Sequence, residues 1–157
     1  MTNAPSAPQN PALPPVPRSR SAYRYWTREK VRFSEVDAVG HANNNAIGVY
    51  FETSRVEMLR EMGILQTSRE VQCVLAKMSL EFIRELAMFD QIEIADAVAR
   101  IGTSSFTLHS AIFVPRGEEM ICAATCEAVC VLVDAQTHRP TPIAPEARAV
   151  LEKYTLS

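Results

Sequence analysis

The hydrophobic period of this chain changes at Gly63, and that change limits the folds open to it. Ahead of Gly63, residues 46–62 carry Ile47, Tyr50, Phe51, Met58 and Met62 at helical spacing, with the small Ser54 on the same side. Beyond it the period becomes two: Val74, Ala76, Met78, Leu80 and Phe82 alternate with Lys77, Ser79 and Glu81, as on a half-buried strand. The pattern predicts strands at 23–33 before the helix and at 74–82, 91–101, 105–114 and 120–133 after it. Pro115-Arg116-Gly117-Glu118 supplies turn chemistry between the last two, and Pro145 opens a short helix reaching Tyr154. One long helix among long antiparallel strands gives an α+β chain, a sheet curled around a central helix, with one sheet edge or face left to pair with another subunit. Gly48 inside the helix costs about 1 kcal/mol relative to alanine and points to a tight contact there. Glu52 with Arg55, and Glu57 with Arg60, are i,i+3 pairs suited to an exposed flank.

The length of 157 residues and 47% hydrophobic content suffice for a single core. A net charge of -2 gives no footprint for nucleic acid, and no apolar run has the roughly 18 residues of a membrane span. Residues 1–20 hold six of the ten prolines and read as a disordered tail, leaving 21–157 as one domain. The tail has no apolar core for a secretory signal. Its arginines and lack of acids suit a transit peptide, but its prolines oppose the amphipathic helix such a peptide needs. Cys122, Cys126 and Cys130 share one strand face at about 13 Å intervals, too far apart for a common metal, and with Cys73 they read as small buried hydrophobes of a reducing, cytoplasmic compartment. His109 and His138 stand apart, and no metal site is expected.

Chemistry concentrates in Asp37-Ala38-Val39-Gly40-His41-Ala42-Asn43-Asn44-Asn45. The run places one carboxylate beside a predicted helix start. There, unsatisfied N–H groups and partial positive charge can receive an oxyanion while the acid attacks an acyl carbon or deprotonates water. Gly40 offers positive φ or a close backbone approach, His41 a hydrogen bond to substrate or to Asp37, and Asn43, Asn44 and Asn45 serve as capping residues. The alternative role for Asp37 is to cap a turn or helix.

The segment Arg32-Phe33-Ser34-Glu35-Val36-Asp37-Ala38-Val39-Gly40-His41-Ala42-Asn43-Asn44, followed by Tyr50-Phe51-Glu52 and Arg55, resembles the hotdog-fold thioesterases of the 4-hydroxybenzoyl-CoA thioesterase type. The resemblance implies a hotdog fold over Tyr23 to Tyr154 and hydrolysis of an acyl-CoA thioester. It also implies Asp37 as nucleophile or general base, backbone N–H groups of Asn44 and Asn45 as the oxyanion site with Gly40 and His41 beside them, and a homodimer or homotetramer that builds each site from two subunits. No cofactor is expected, CoA being part of the substrate. Gly40-His41-Ala42-Asn43-Asn44 with Leu80-Glu81-Phe82-Ile83-Arg84-Glu85 is also similar to the acyl-carrier-protein thioesterases of the same fold, which makes Glu85 a secondary candidate and an acyl carrier protein a second possible partner. That branch has an Asn where this chain has Val39. A non-catalytic acyl-binding module and a dehydratase of the same fold are the remaining alternatives.

Overall fold

The computed structural model describes residues 13–65 and 70–157. Five strands, β1 (Tyr25–Lys30), β2 (Val71–Phe82), β3 (Gln91–Ile101), β4 (Ser105–Arg116) and β5 (Glu119–Asp134), form one antiparallel sheet in the order β1-β3-β4-β5-β2. Helix α1 (Asn44–Glu61) packs on one face, and α2 (Pro145–Glu152) closes the chain with Pro145 in its first turn. This is the expected helix wrapped by a sheet. Gly117 takes a φ of +65° in the turn between β4 and β5.

The floor beneath α1 is made of small side chains. Ala124, Cys126, Ala128 and Cys130 of β5 are buried in the same core as Ile47, Phe51 and Met58 of α1, while the helix backbone comes nearest to β3 and β1. Polar groups fix where it lies. Thr27 Oγ1 donates to Ser54 Oγ at 2.8 Å, Ser54 Oγ donates to Asp96 Oδ2, and Ser110 Oγ donates to Asp96 Oδ1. This chain joins β1, α1, β3 and β4 through a carboxyl with no solvent exposure.

The sheet carries three register slips, and those in β5 and β2 alter the faces that simple alternation predicts. In β5 the register slips between Ile112 and Phe113, where Ile112 faces Ala124 but Phe113 faces Cys122, leaving Ala123 as the extra residue. A one-residue slip reverses every side chain beyond it, so Cys122 does not share a face with Cys126 and Cys130. It packs on the opposite side, near Phe113 and Tyr23. In β2 the slip lies between Leu75 and Lys77, so Cys73 and Leu75 face the helix before it and Met78, Leu80 and Phe82 after it, while Val74 turns away. The strand also begins at Val71 rather than Val74.

Of the proline-rich stretch, residues 1–12 lie outside the described residues. The packed body takes in its end: Pro17 O accepts from the Tyr23 hydroxyl at 2.5 Å, Arg18 pairs with Glu81 at 2.7 Å, and Arg20 lies 4.4 Å over the Trp26 ring. Among the described residues no helix is long and apolar enough to cross a membrane.

Burial pushes the Asp96 carboxyl up to about 6 from an ordinary 3.8, against the opposing pull of the Ser110 and Ser54 hydrogen bonds and the Arg55 charge. The folded state thus holds this proton more tightly than the unfolded chain. Its stabilising contribution is full below about pH 4 and lost as pH rises through about 6. In urea titrations, Asp96→Asn should gain on the wild type by up to about 3 kcal/mol between about pH 4 and pH 7. A constant difference across that range would contradict the neutral buried acid.

Candidate active site

The site is assembled by the loop between β1 and α1. The Asp37–Gly40 turn is closed by Gly40 N–H donating to Asp37 O at 3.0 Å and Asp37 N–H donating to His41 O at 2.9 Å. Asp37 Oδ1 accepts from Val39 N–H at 2.9 Å and His41 N–H at 3.2 Å, so the turn holds one carboxylate oxygen and leaves Oδ2 without a partner among the described residues. Gly40 sits at φ +83° with open space where a Cβ would stand. Backbone conformation, and not crowding, is what requires glycine there.

The loop is bound to the helix start through Asn43 and Glu35. Asn43 Oδ1 caps Ala46 N–H at 2.9 Å, and Asn43 N–H and Nδ2 both donate to Glu35 O at 2.8 Å. The Glu35 carboxylate accepts from the buried Tyr50 hydroxyl and from Arg32. Burial alone would raise the Glu35 carboxyl, but the hydrogen bonds from Tyr50 and Arg32 outweigh it and hold Glu35 below its ordinary range. The Asn43 cap leaves the N–H groups of Asn44 and Asn45 as the donors of the first turn with no acceptor among the described residues. The helix thus begins two residues before Ala46, the first position of the sequence pattern.

Asp37, His41, Asn44, Phe82, Arg84 and Glu85 all border one cavity of about 590 Å³. Five of the six sequence candidates, Asp37, Gly40, His41, Asn44 and Asn45, lie on this loop and helix start, and the sixth, Glu85, comes from the segment after β2. That segment is fastened by a bridge between His41 and Ala87 and by Arg116, which pairs with Asp90 at 2.7 Å and donates to Glu85 O at 3.2 Å. Arg84 and Arg116 were not singled out from the sequence; their place at the cavity depends on the β2–β3 connection folding back over β4. A second groove of about 350 Å³ begins on the other side of Asn44 and runs between α1 and β2 past Gly48, Met78 and Leu80 to Arg55.

The expected i,i+3 pairs of α1 and the tight contact at Gly48 are corrected by this geometry. Arg55 is buried, at 6% exposure, and makes no ion pair with Glu52, because the sheet wraps far enough round α1 to cover it; Glu57 and Arg60 do not pair either. Gly48 makes no tight contact, since a Cβ there would lie 3.9 Å from Leu80 Cδ1 and Met78 Cε, ordinary van der Waals distances. His109 is fully buried on β4, with Nε2 3.6 Å from Glu127 and no hydrogen bond; it does not reach the Asp37 cavity. No group of three or more His, Cys, Asp or Glu side chains among the described residues can hold a metal ion.

Residues 31–151 match the sequence profile of the thioesterase-like superfamily. The Bacillus subtilis protein YsmA, itself uncharacterised, is 26% identical over 95 residues, which span 60% of this chain and 65% of YsmA, just under two thirds of that relative's length. Among solved structures, the PA5185 protein of Pseudomonas aeruginosa superposes with a TM-score of 0.79 at 29% identity, over 90% of this chain and 99% of that one. A thioesterase-superfamily protein from Jannaschia sp. CCS1 superposes at 0.75 with 26% identity, over 82% and 81%.

If positive φ is what Gly40 provides, Gly40→Ala should lower stability by about 1 kcal/mol and release the Asp37 turn. Urea denaturation together with amide exchange at Val39 and His41 checks both. Unchanged stability and protection would contradict it.

Proposed function

The chain belongs to the thioesterase-like superfamily, and from that membership we propose that it hydrolyses an acyl-CoA thioester to the free acid and CoA. The observation that carries this reading is the meeting of Asp37 and Asn44, whose N–H is uncapped at the first turn of α1, at one cavity, with Asn45 beside it on the adjoining groove. A thioester carbonyl is already electrophilic. It needs a polarised oxygen and a nucleophile. The N–H groups of Asn44 and Asn45 donate to the oxygen as it gains charge, aided by the positive end of the helix. Asp37 Oδ2 then acts in one of two ways. It attacks the carbonyl carbon, expelling the CoA thiolate and leaving an anhydride that water opens, or it takes a proton from a water that attacks in its place. His41 and Glu85 border the same cavity, and in this reading they bind the substrate beside the thioester.

Asp37→Asn should lower kcat by about 100-fold or more with little change in KM, because the amide neither attacks nor accepts a proton. Full hydrolysis by that variant would overturn the reading. Single turnover in ¹⁸O-labelled water tests the nucleophilic role, label entering the Asp37 carboxylate marking an anhydride opened at Asp37, and trapping with hydroxylamine during turnover tests for an anhydride opened at the acyl carbon.

The active species in this reading is a dimer formed along β2. That strand is an edge of 12 residues with no strand beyond it among the described residues, and Val74, on the face away from the helix, is 39% exposed. A long apolar edge left open is a template for pairing, and a second copy satisfies it with the same strand. Light scattering should give twice the 17.4 kDa chain mass. A fully active species at the mass of one chain would contradict it.

A further inference from the structure

The groove beside α1 ends on a cation that has no counter-ion. Arg55 is 6% exposed, yet no carboxylate among the described residues lies within ion-pair distance, and its one hydrogen-bond acceptor is the Met78 sulfur, 4.0 Å from Nη1. Its other neighbours acting through charge are the Cys73, Cys126 and Cys130 thiols and Asp96. Thiols and thioethers are weak acceptors, and both Asp96 oxygens are occupied by Ser54 and Ser110. Glu52 lines the same groove but is exposed and does not reach Arg55. A guanidinium taken out of water without an anion is costly, and here it borders open space.

We propose that this groove is the acyl channel and that Arg55 binds a carboxylate at the far end of the acyl group, so that the preferred substrates are thioesters of dicarboxylic acids. The proposal rests on the thioester-hydrolase reading above. Asn44 borders both the Asp37 cavity and the groove, so a thioester held at the first turn of α1 has one open path on each side. The middle of the groove is apolar, walled by Leu75, Met78 and Leu80, and suits methylene groups. Gly48 keeps it open, because any side chain there projects toward Leu80 and Met78. Arg55 stands ten residues beyond Asn45, about 15 Å along the helix, and helical side chains lean back toward the N-terminus. The guanidinium is therefore within reach of a short to medium chain. Edge pairing of a second copy would use the outward N–H and C=O groups of β2, while the groove lies on the helix-facing side of that strand.

The test compares adipoyl-CoA with hexanoyl-CoA, equal in carbon number and different in the terminal carboxylate, on the full-length protein and on Arg55→Met and Gly48→Leu. The wild type should favour adipoyl-CoA by about tenfold or more in kcat/KM. Arg55→Met should raise KM for adipoyl-CoA far more than for hexanoyl-CoA, removing that preference at unchanged solution mass, and Gly48→Leu should slow both substrates. Hydrolysis of hexanoyl-CoA at least as fast as adipoyl-CoA by the wild type overturns the carboxylate assignment and leaves the hydrolase reading standing. That comparison needs no variant to fold. Equal loss on both substrates in Arg55→Met with a fall in mass also overturns it, giving the Arg55 counter-ion to a second subunit. If the wild type turns over neither substrate nor any other acyl-CoA, the hydrolase reading fails and this one with it.

Discussion

The hydrogen bond from Ser54 to the buried Asp96 carboxyl fixes α1 on the sheet, and the geometry of the first turn follows from it. The alanine and cysteine side chains of β5 share the core with α1, but small side chains permit sliding and rotation. The polar chain through Thr27, Ser54, Asp96 and Ser110 does not, because a shift of the helix would leave buried groups without partners. With the helix fixed, Asn43 and Tyr50 bring the loop from β1 to it through Glu35, and the Asp37 turn shares a cavity with Asn44 at the helix start.

That arrangement divides the work between backbone and side chain. The turn satisfies one oxygen of Asp37 and leaves the other, while the Asn43 cap satisfies Ala46 and leaves the two N–H groups ahead of it. The groups left unsatisfied are the ones a thioester would engage. In the proposed reading, stability and reactivity come from the same short segment, with the partnered atoms holding the unpartnered ones in place.

Much of this was legible in the sequence. The change of period at Gly63 marked the helix and the strands, and the Asp37-to-Asn45 run marked the site, because both depend on local residue chemistry. What escaped depends on contacts between distant segments. The bulges at Ala76 and Ala123 fall on alanines, which suit either face of a sheet, so alternation gave no sign of the slip that turns Val74 and Cys122 away. Arg55 read as a surface partner for Glu52, since a charged residue at the margin of an apolar stripe carries no mark of being covered. Asp96 did leave a signal, standing in line with Ile92, Ile94 and Val98 at period two, an acid on the buried face of a strand.

A crystal structure of the Asp37→Ala protein soaked with an acyl-CoA tests the central arrangement most directly. The thioester oxygen is expected within about 3 Å of the Asn44 and Asn45 N–H groups, with the carbonyl carbon facing the space left by the Asp37 carboxylate. An acyl-CoA bound with its carbonyl away from the first turn of α1 would contradict it.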